Sequence, residues 1–165
     1  MRTRALFTVA LSLMLLAATA QAEPVSYKEL IPLISSVSLP GWTAGTPTGQ
    51  TVKAPVEASE ATLEFANGDK HLELAIYDGG PAMGAAAAAM AQVEMESPEE
   101  IIKPVTVKGF KGSLYLHPKD NEADLVILVP PRFAVSIHVN GSADGDLLQK
   151  AAAQMDLAKL STLGK

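Results

Sequence analysis

The segment ATLEFANGDKHLELAI, residues 61–76, decides the fold because apolar and polar residues alternate on both sides of a turn at residues 67–70. The apolar positions are Ala61, Leu63 and Phe65 before the turn and Leu72, Leu74 and Ile76 after it. Such alternation is typical of a strand with one buried face, and Asn-Gly is a common hairpin connection. The segment therefore predicts an antiparallel hairpin.

The second half of the chain carries four more strand patterns. They cover residues 105–108, 113–117, 123–129 and 133–139, and turns rich in Gly, Pro and Asn separate them. Short connections of this kind favour an antiparallel meander. The run DLVILV, residues 124–129, is apolar on both faces after its first residue, as expected of a central strand.

Helical patterns are fewer. Three segments have apolar positions at helical spacing: residues 27–36, residues 82–96 and a closing segment that starts at Asp144 or Asp146. The sequence SPEE at 97–100 allows at most a short helix. Residues 39–59 predict a long loop, with or without one edge strand near 51–56. Together these patterns predict an α+β domain with an antiparallel sheet of about six or seven strands packed against two or three helices.

The N-terminus has the form of a secretory signal peptide. Arg2 and Arg4 precede an apolar run at residues 5–18, and the small-residue triplet Ala-Gln-Ala ends at Ala22. The run is shorter than the roughly 18 residues that a membrane-spanning helix needs. We therefore expect cleavage after Ala22, a single domain at 23–165 with no membrane span, and a periplasmic location.

Composition excludes several functions. The chain has no cysteine, which removes thiol catalysis, thiolate zinc sites and disulfide exchange. Cleavage after Ala22 would leave 11 basic and 18 acidic residues with no basic stripe. Nucleic acid and anionic membranes are therefore poor partners.

The glycine-rich segment DGGPAMG, residues 78–84, lies between a strand pattern and an alanine-rich pattern. It lacks the Lys and Ser/Thr of a Walker loop and the glycine spacing of a dinucleotide loop, so no cofactor is expected. We interpret it as a strand-to-helix turn in which Gly79 and Gly80 allow positive φ. The alternative is an anion or small polar ligand bound at this helix start through Gly79 and Gly80.

Histidines, Trp42 and Arg132 are the remaining candidates. If the histidine-bearing strands are neighbours, His71 and His138 could form a metal site on the open face of the sheet, although no close ligand spacing supports one. No Gly-x-Ser-x-Gly motif marks a hydrolase nucleophile, and a minor hydrolase with a cleft near Trp42 is the alternative to a non-enzymatic module. Trp42 either anchors its loop on the core or lines a ligand site or cleft, and Arg132 is either a turn residue or an anchor for an acidic partner.

The order of these features resembles small exported bacterial domains of uncharacterised function. The likeness rests on the hairpin, the alanine-rich segment, the run FAVSIHVNG at 133–141 and the closing segment 147–160. In overall order the chain is also similar to domains of the Mog1 and PsbP type, which implies a binding or accessory module and no enzyme. The expected partner is another periplasmic protein or a small ligand.

Overall fold

A computed structural model describes residues 23–54, 57–80 and 93–163, which form one antiparallel sheet of nine strands and three helices. The strands are β1 (Thr43–Ala44), β2 (Thr48–Val52), β3 (Ala58–Asn67), β4 (Lys70–Asp78), β5 (Met95–Glu96), β6 (Ile101–Val107), β7 (Phe110–His117), β8 (Glu122–Val129) and β9 (Phe133–Asn140). Their order across the sheet is β1-β3-β4-β9-β8-β7-β6-β5, with β2 also paired to β3.

The α+β class is confirmed, but the expected six or seven strands were too few. β1 and β5 have two residues each, and β1 and β2 both lie in the segment that was expected to hold at most one strand near 51–56. Strands this short show no alternation of their own, and their pairing with β3 and β6 is fixed only by the folded sheet.

The predicted hairpin and meander form the centre of the sheet. β3 and β4 pair from Ser59↔Asp78 to Asn67↔Lys70, and Gly68 takes a φ of 60° in the turn. β6 to β9 follow one another as an antiparallel meander. β4 pairs with β9, which joins the hairpin to the meander in one sheet.

Helices cover one face of the sheet. α1 (Tyr27–Ile34) packs on β2, β3 and β4, and α2 (Gly145–Gln154) packs on β6 to β9. The hydroxyl of Ser26 and the carboxylate of Asp144 cap these helices. The four-residue α3 (Leu157–Leu160) follows α2, and its leucines join the same core.

The chain between β4 and β6 differs from the helix predictions made for it. Residues 82–92 of the helix predicted over 82–96 lie outside the described residues, and its end was wrong because Met95–Glu96 is a strand. The SPEE segment is a turn between β5 and β6, in which the Ser97 hydroxyl accepts from the amides of Glu99 and Glu100. In the ranges that the structure describes, no helix is long and apolar enough to cross a membrane.

Candidate functional site

Two rows of mostly polar side chains cross the face of the sheet opposite α1 and α2, which is called the second face below. Because successive strand residues point to opposite faces, the register places whole rows on one side. The first row is Glu64, Glu73, His138, Asp124 and Tyr115, and the second is Ala66, His71, Asn140, Glu122 and His117. All three histidines of the chain therefore lie on one face.

Asp124 lies between two imidazoles in these rows. Its Oδ1 is 2.9 Å from Nδ1 of His138, within hydrogen-bond distance, and its Oδ2 is 3.6 Å from Nε2 of His117. The His138 and Asp124 side chains are 40% and 34% exposed, so solvent and ligands can reach them. Asp124 lies within β8, so the sheet holds its carboxylate beside His138.

Asn140 and Glu122 repeat this arrangement one step along the strands. The side-chain amide of Asn140 donates from Nδ2 to Oε1 of Glu122 at 2.9 Å. Asp124 and Glu122 both belong to β8, while His138 and Asn140 are their partners on β9. Two carboxylates of one strand thus hold two polar side chains of the next.

A depression of about 400 Å³ opens beside these pairs. Its lining residues are Glu64, Phe65, His71, Leu72, Glu73, His138 and Asn140. Its volume is within the range of small-ligand pockets. The lining has two carboxylates, Glu64 and Glu73, and two imidazoles, and it includes no lysine or arginine. The structure thus brings His71 and His138 together in one concave site.

The same site offers no preformed metal or hydrolase centre. Among the described residues, no group of three or more His, Asp or Glu side chains is arranged to hold a metal ion. Within those ranges no hydroxyl is hydrogen-bonded to either ring nitrogen of His138. A metal-binding role for His71 and His138 stays a prediction.

Gly79, Gly80 and Arg132 meet at a second place, around the buried carboxylate of Asp78. Arg132 Nε donates to Asp78 Oδ1 at 2.8 Å, and both side chains are almost fully buried. The Val25 amide donates to Oδ2 of Asp78 at 2.7 Å. Arg132 also donates to the carbonyl of Glu23 at 2.9 Å, so the ion pair fixes the segment that precedes α1.

Both glycine amides are used within the protein. The Gly80 amide donates to Asp78 Oδ1 at 3.2 Å, and the Gly79 amide donates to the Arg132 carbonyl at 3.4 Å. Gly80 has the expected positive φ, 70°. Because both amides already donate to acceptors of the protein, this geometry gives no support to anion binding, and ligand roles for Gly79, Gly80 and Arg132 stay predictions.

Trp42 directly precedes β1 at the edge of the sheet. Its half-buried ring packs against the hydrophobic core, as expected of an indole that anchors a loop. The depression on the second face does not include Trp42. A binding role for this residue also stays a prediction.

Tyr77 occupies the same face at the other end of β4. Burial raises its pKa to about 12, and the nearby carboxylate of Glu60, its cross-strand partner, adds to the increase. The anionic form of the phenol is disfavoured in both ways. Tyr77 is therefore a neutral donor at ordinary pH and has none of the properties of a base.

Sequence reasoning did not propose Glu64, Asn140, Glu122 or Asp124 as site residues. Glu64 and Asp124 were within predicted strands, whereas Glu122 and Asn140 lay one residue outside them. Alternation alone puts Glu73 and His71 on one face. Alternation does not predict the pairing of β4 with β9, which joins residues 55 to 69 positions apart, from Asp78↔Phe133 to His71↔Asn140. A signal for that pairing is absent from local patterns.

Comparison with known proteins adds little to this geometry. No protein-family model matches the chain, and no curated protein does. Among solved structures, the chain is similar to a GTP binding regulator from Thermotoga maritima, with 10% sequence identity and a TM-score of 0.34 over 82% of this chain and 91% of that one. The resemblance to Mog1 and PsbP type domains stays a prediction.

Proposed function

We propose that this chain is an exported binding or accessory module without a catalytic centre. It binds a small polar ligand in the depression on the face of the sheet opposite α1 and α2. The single observation that carries the proposal is the convergence of Glu64, Glu73, His71, His138 and Asn140 on that concave surface. Convergent polar groups in a concavity are the usual mark of a small-molecule site.

The orientation of His138 adds support. An imidazole held by a carboxylate has lost rotational freedom before any ligand arrives, which lowers the entropy cost of binding. The export part of the proposal rests on the N-terminal sequence alone, namely Arg2, Arg4 and the apolar run up to Ala18.

A thermal-shift screen tests the binding part. The protein is screened against small neutral, cationic and anionic compounds, and a ligand at about 100 times its Kd should stabilise the fold by roughly 2.7 kcal/mol. The stabilisation should shrink in Glu73→Gln and persist in Glu96→Gln. Glu96 is a matched control because it is an exposed glutamate on β5, five strand spacings from β4, or about 24 Å.

Export has its own test. Expression of the full chain in a Gram-negative host, followed by fractionation and N-terminal sequencing, should yield periplasmic protein that begins at Glu23. Uncleaved protein in the cytoplasm would remove the export part and leave the ligand site to be judged by the screen.

A further inference from the structure

We infer that the ligand of the depression is a small organic cation that carries ammonium or guanidinium groups. The inference rests on the proposed binding function and adds to it the chemical class of the ligand. It follows from the hydrogen-bonding capacity that His138 and Asn140 have left for a ligand, and from the charges of Glu64 and Glu73.

His138 presents an acceptor. An ionised carboxylate can only accept hydrogen bonds, so the 2.9 Å contact with Asp124 Oδ1 requires the proton on Nδ1 of His138. In the neutral imidazole the lone pair then lies on Nε2. Among the described residues, Nε2 of His138 has no hydrogen-bond partner, and it is therefore left to accept from a ligand.

Asn140 presents an acceptor for the same reason. Its NH₂ group must face the Glu122 carboxylate, at 2.9 Å, because two acceptors would repel each other. The carbonyl oxygen Oδ1 is left without a partner within the described ranges. The two β8 carboxylates thus take the donors of two β9 side chains and leave their acceptors for the depression.

Glu64 and Glu73 contribute negative charge. They are exposed and directly opposite each other on β3 and β4, an arrangement that destabilises an antiparallel pair. Lys70, the lysine of β4, has the strand parity of the core face and points away from them. A cation bound between the two carboxylates would relieve their repulsion.

An organic cation fits better than a metal ion. A metal needs three or more side chains with donor atoms at about 2 Å, and the described residues form no such group. Ammonium and guanidinium groups instead donate several hydrogen bonds at 2.7 to 2.9 Å, a spacing that separate acceptors on neighbouring strands can satisfy. The volume of about 400 Å³ suits a small molecule.

Calorimetric titration with a matched set of four-carbon compounds tests the inference. The probes are 1,4-diaminobutane, 1,4-butanediol and succinate, with ZnCl₂ as a fourth, all at low ionic strength. We expect the diamine to bind, the diol and succinate not to bind, and zinc to bind no more tightly than the diamine. Glu73→Gln and Glu64→Gln should each raise the Kd of the diamine about tenfold or more, because each removes a charge-assisted bond, while Glu96→Gln should leave it unchanged.

The other outcomes of the titration contradict either the ligand class, the position of the site or the binding function. Binding of succinate or the diol as tightly as the diamine, if lost in Glu73→Gln, would overturn the cation class and leave the binding function intact. Binding of zinc more tightly than the diamine, if lost in Glu73→Gln, would also overturn the cation class and leave the binding function intact. Diamine binding that is insensitive to both Glu variants would overturn the site, and failure of all four probes together with a silent thermal-shift screen would overturn the binding function itself.

Discussion

Replacement of Asp78 by Asn should destabilise the fold more than any change to a surface charge. The side chain of Asp78 is 0% exposed and that of Arg132 is 3% exposed, and the pair fixes the backbone of Glu23 and Val25. Asp78→Asn keeps the shape and one acceptor oxygen but leaves a buried guanidinium beside a neutral amide. Breaking a buried pair by the loss of one partner costs about 3 to 5 kcal/mol.

That loss is a large part of the total, because domains of this size are stable by about 5 to 15 kcal/mol. The corresponding drop in Tm is on the order of 10 °C. Urea unfolding followed by far-UV circular dichroism and by the fluorescence of Trp42 measures it. Glu99→Gln is the control, since its ion pair with Lys119 is 76% and 58% exposed and should contribute less than about 1 kcal/mol.

A double-mutant cycle separates the ion pair from simple packing loss. With Arg132→Met as the second change, the double variant should lose less stability than the sum of the two single variants, by about 2 kcal/mol. Additive losses, or an Asp78→Asn loss no greater than that of Glu99→Gln, would refute the claim that the buried pair holds the N-terminal segment.

Three further predictions concern the sheet. Because burial raises the pKa of Tyr77 to about 12, its contribution to stability should be complete below about pH 10 and disappear as the pH rises through 12. Tyrosinate absorbance measures the ionisation, and unfolding of the parent protein and of Tyr77→Phe as a function of pH measures the contribution. Gly112→Ala should cost about 1 to 3 kcal/mol in urea unfolding, because the new Cβ would collide with the backbone carbonyl of Val126. Asp124→Asn should weaken diamine binding although residue 124 is outside the depression. The new amide can donate to Nδ1 of His138, which moves the imidazole proton to Nε2, and ¹⁵N NMR of the ring detects that change.

Each of these predictions has a contrary result. A Tyr77 that ionises near pH 10 would show that the phenol is solvated. A Gly112→Ala variant as stable as the parent would mean that β7 and β8 can move apart. An Asp124→Asn variant with weaker binding but an unchanged His138 tautomer would assign the effect of Asp124 to its charge alone.

The hairpin was predictable because its information is local. Alternation in residues 61–76 sets which side chains face the core, and the two-residue connection of Gly68 and Asp69 sets the register between the two strands. The same alternation predicts that His71 and Glu73 share a face. These statements need no knowledge of the rest of the chain.

The site needed more than local information. His138 meets Glu73 only because β9 pairs with β4 and not with another strand, and alternation does not choose between such partners. The burial of Arg132 was likewise hidden, because its counter-charge Asp78 is 54 positions away and both residues look like ordinary turn charges in the sequence. Long-range pairing decides the site, and short-range patterns decide the elements.

The tautomer of His138 is the most direct test of the account, because the acceptor character of the depression depends on it. Long-range ¹H–¹⁵N correlation of the histidine rings, at a pH where His138 is neutral, should show the proton on Nδ1 and a bare Nε2. A neutral ring with its proton on Nε2 would place a donor in the depression and contradict the assignment of a cationic ligand.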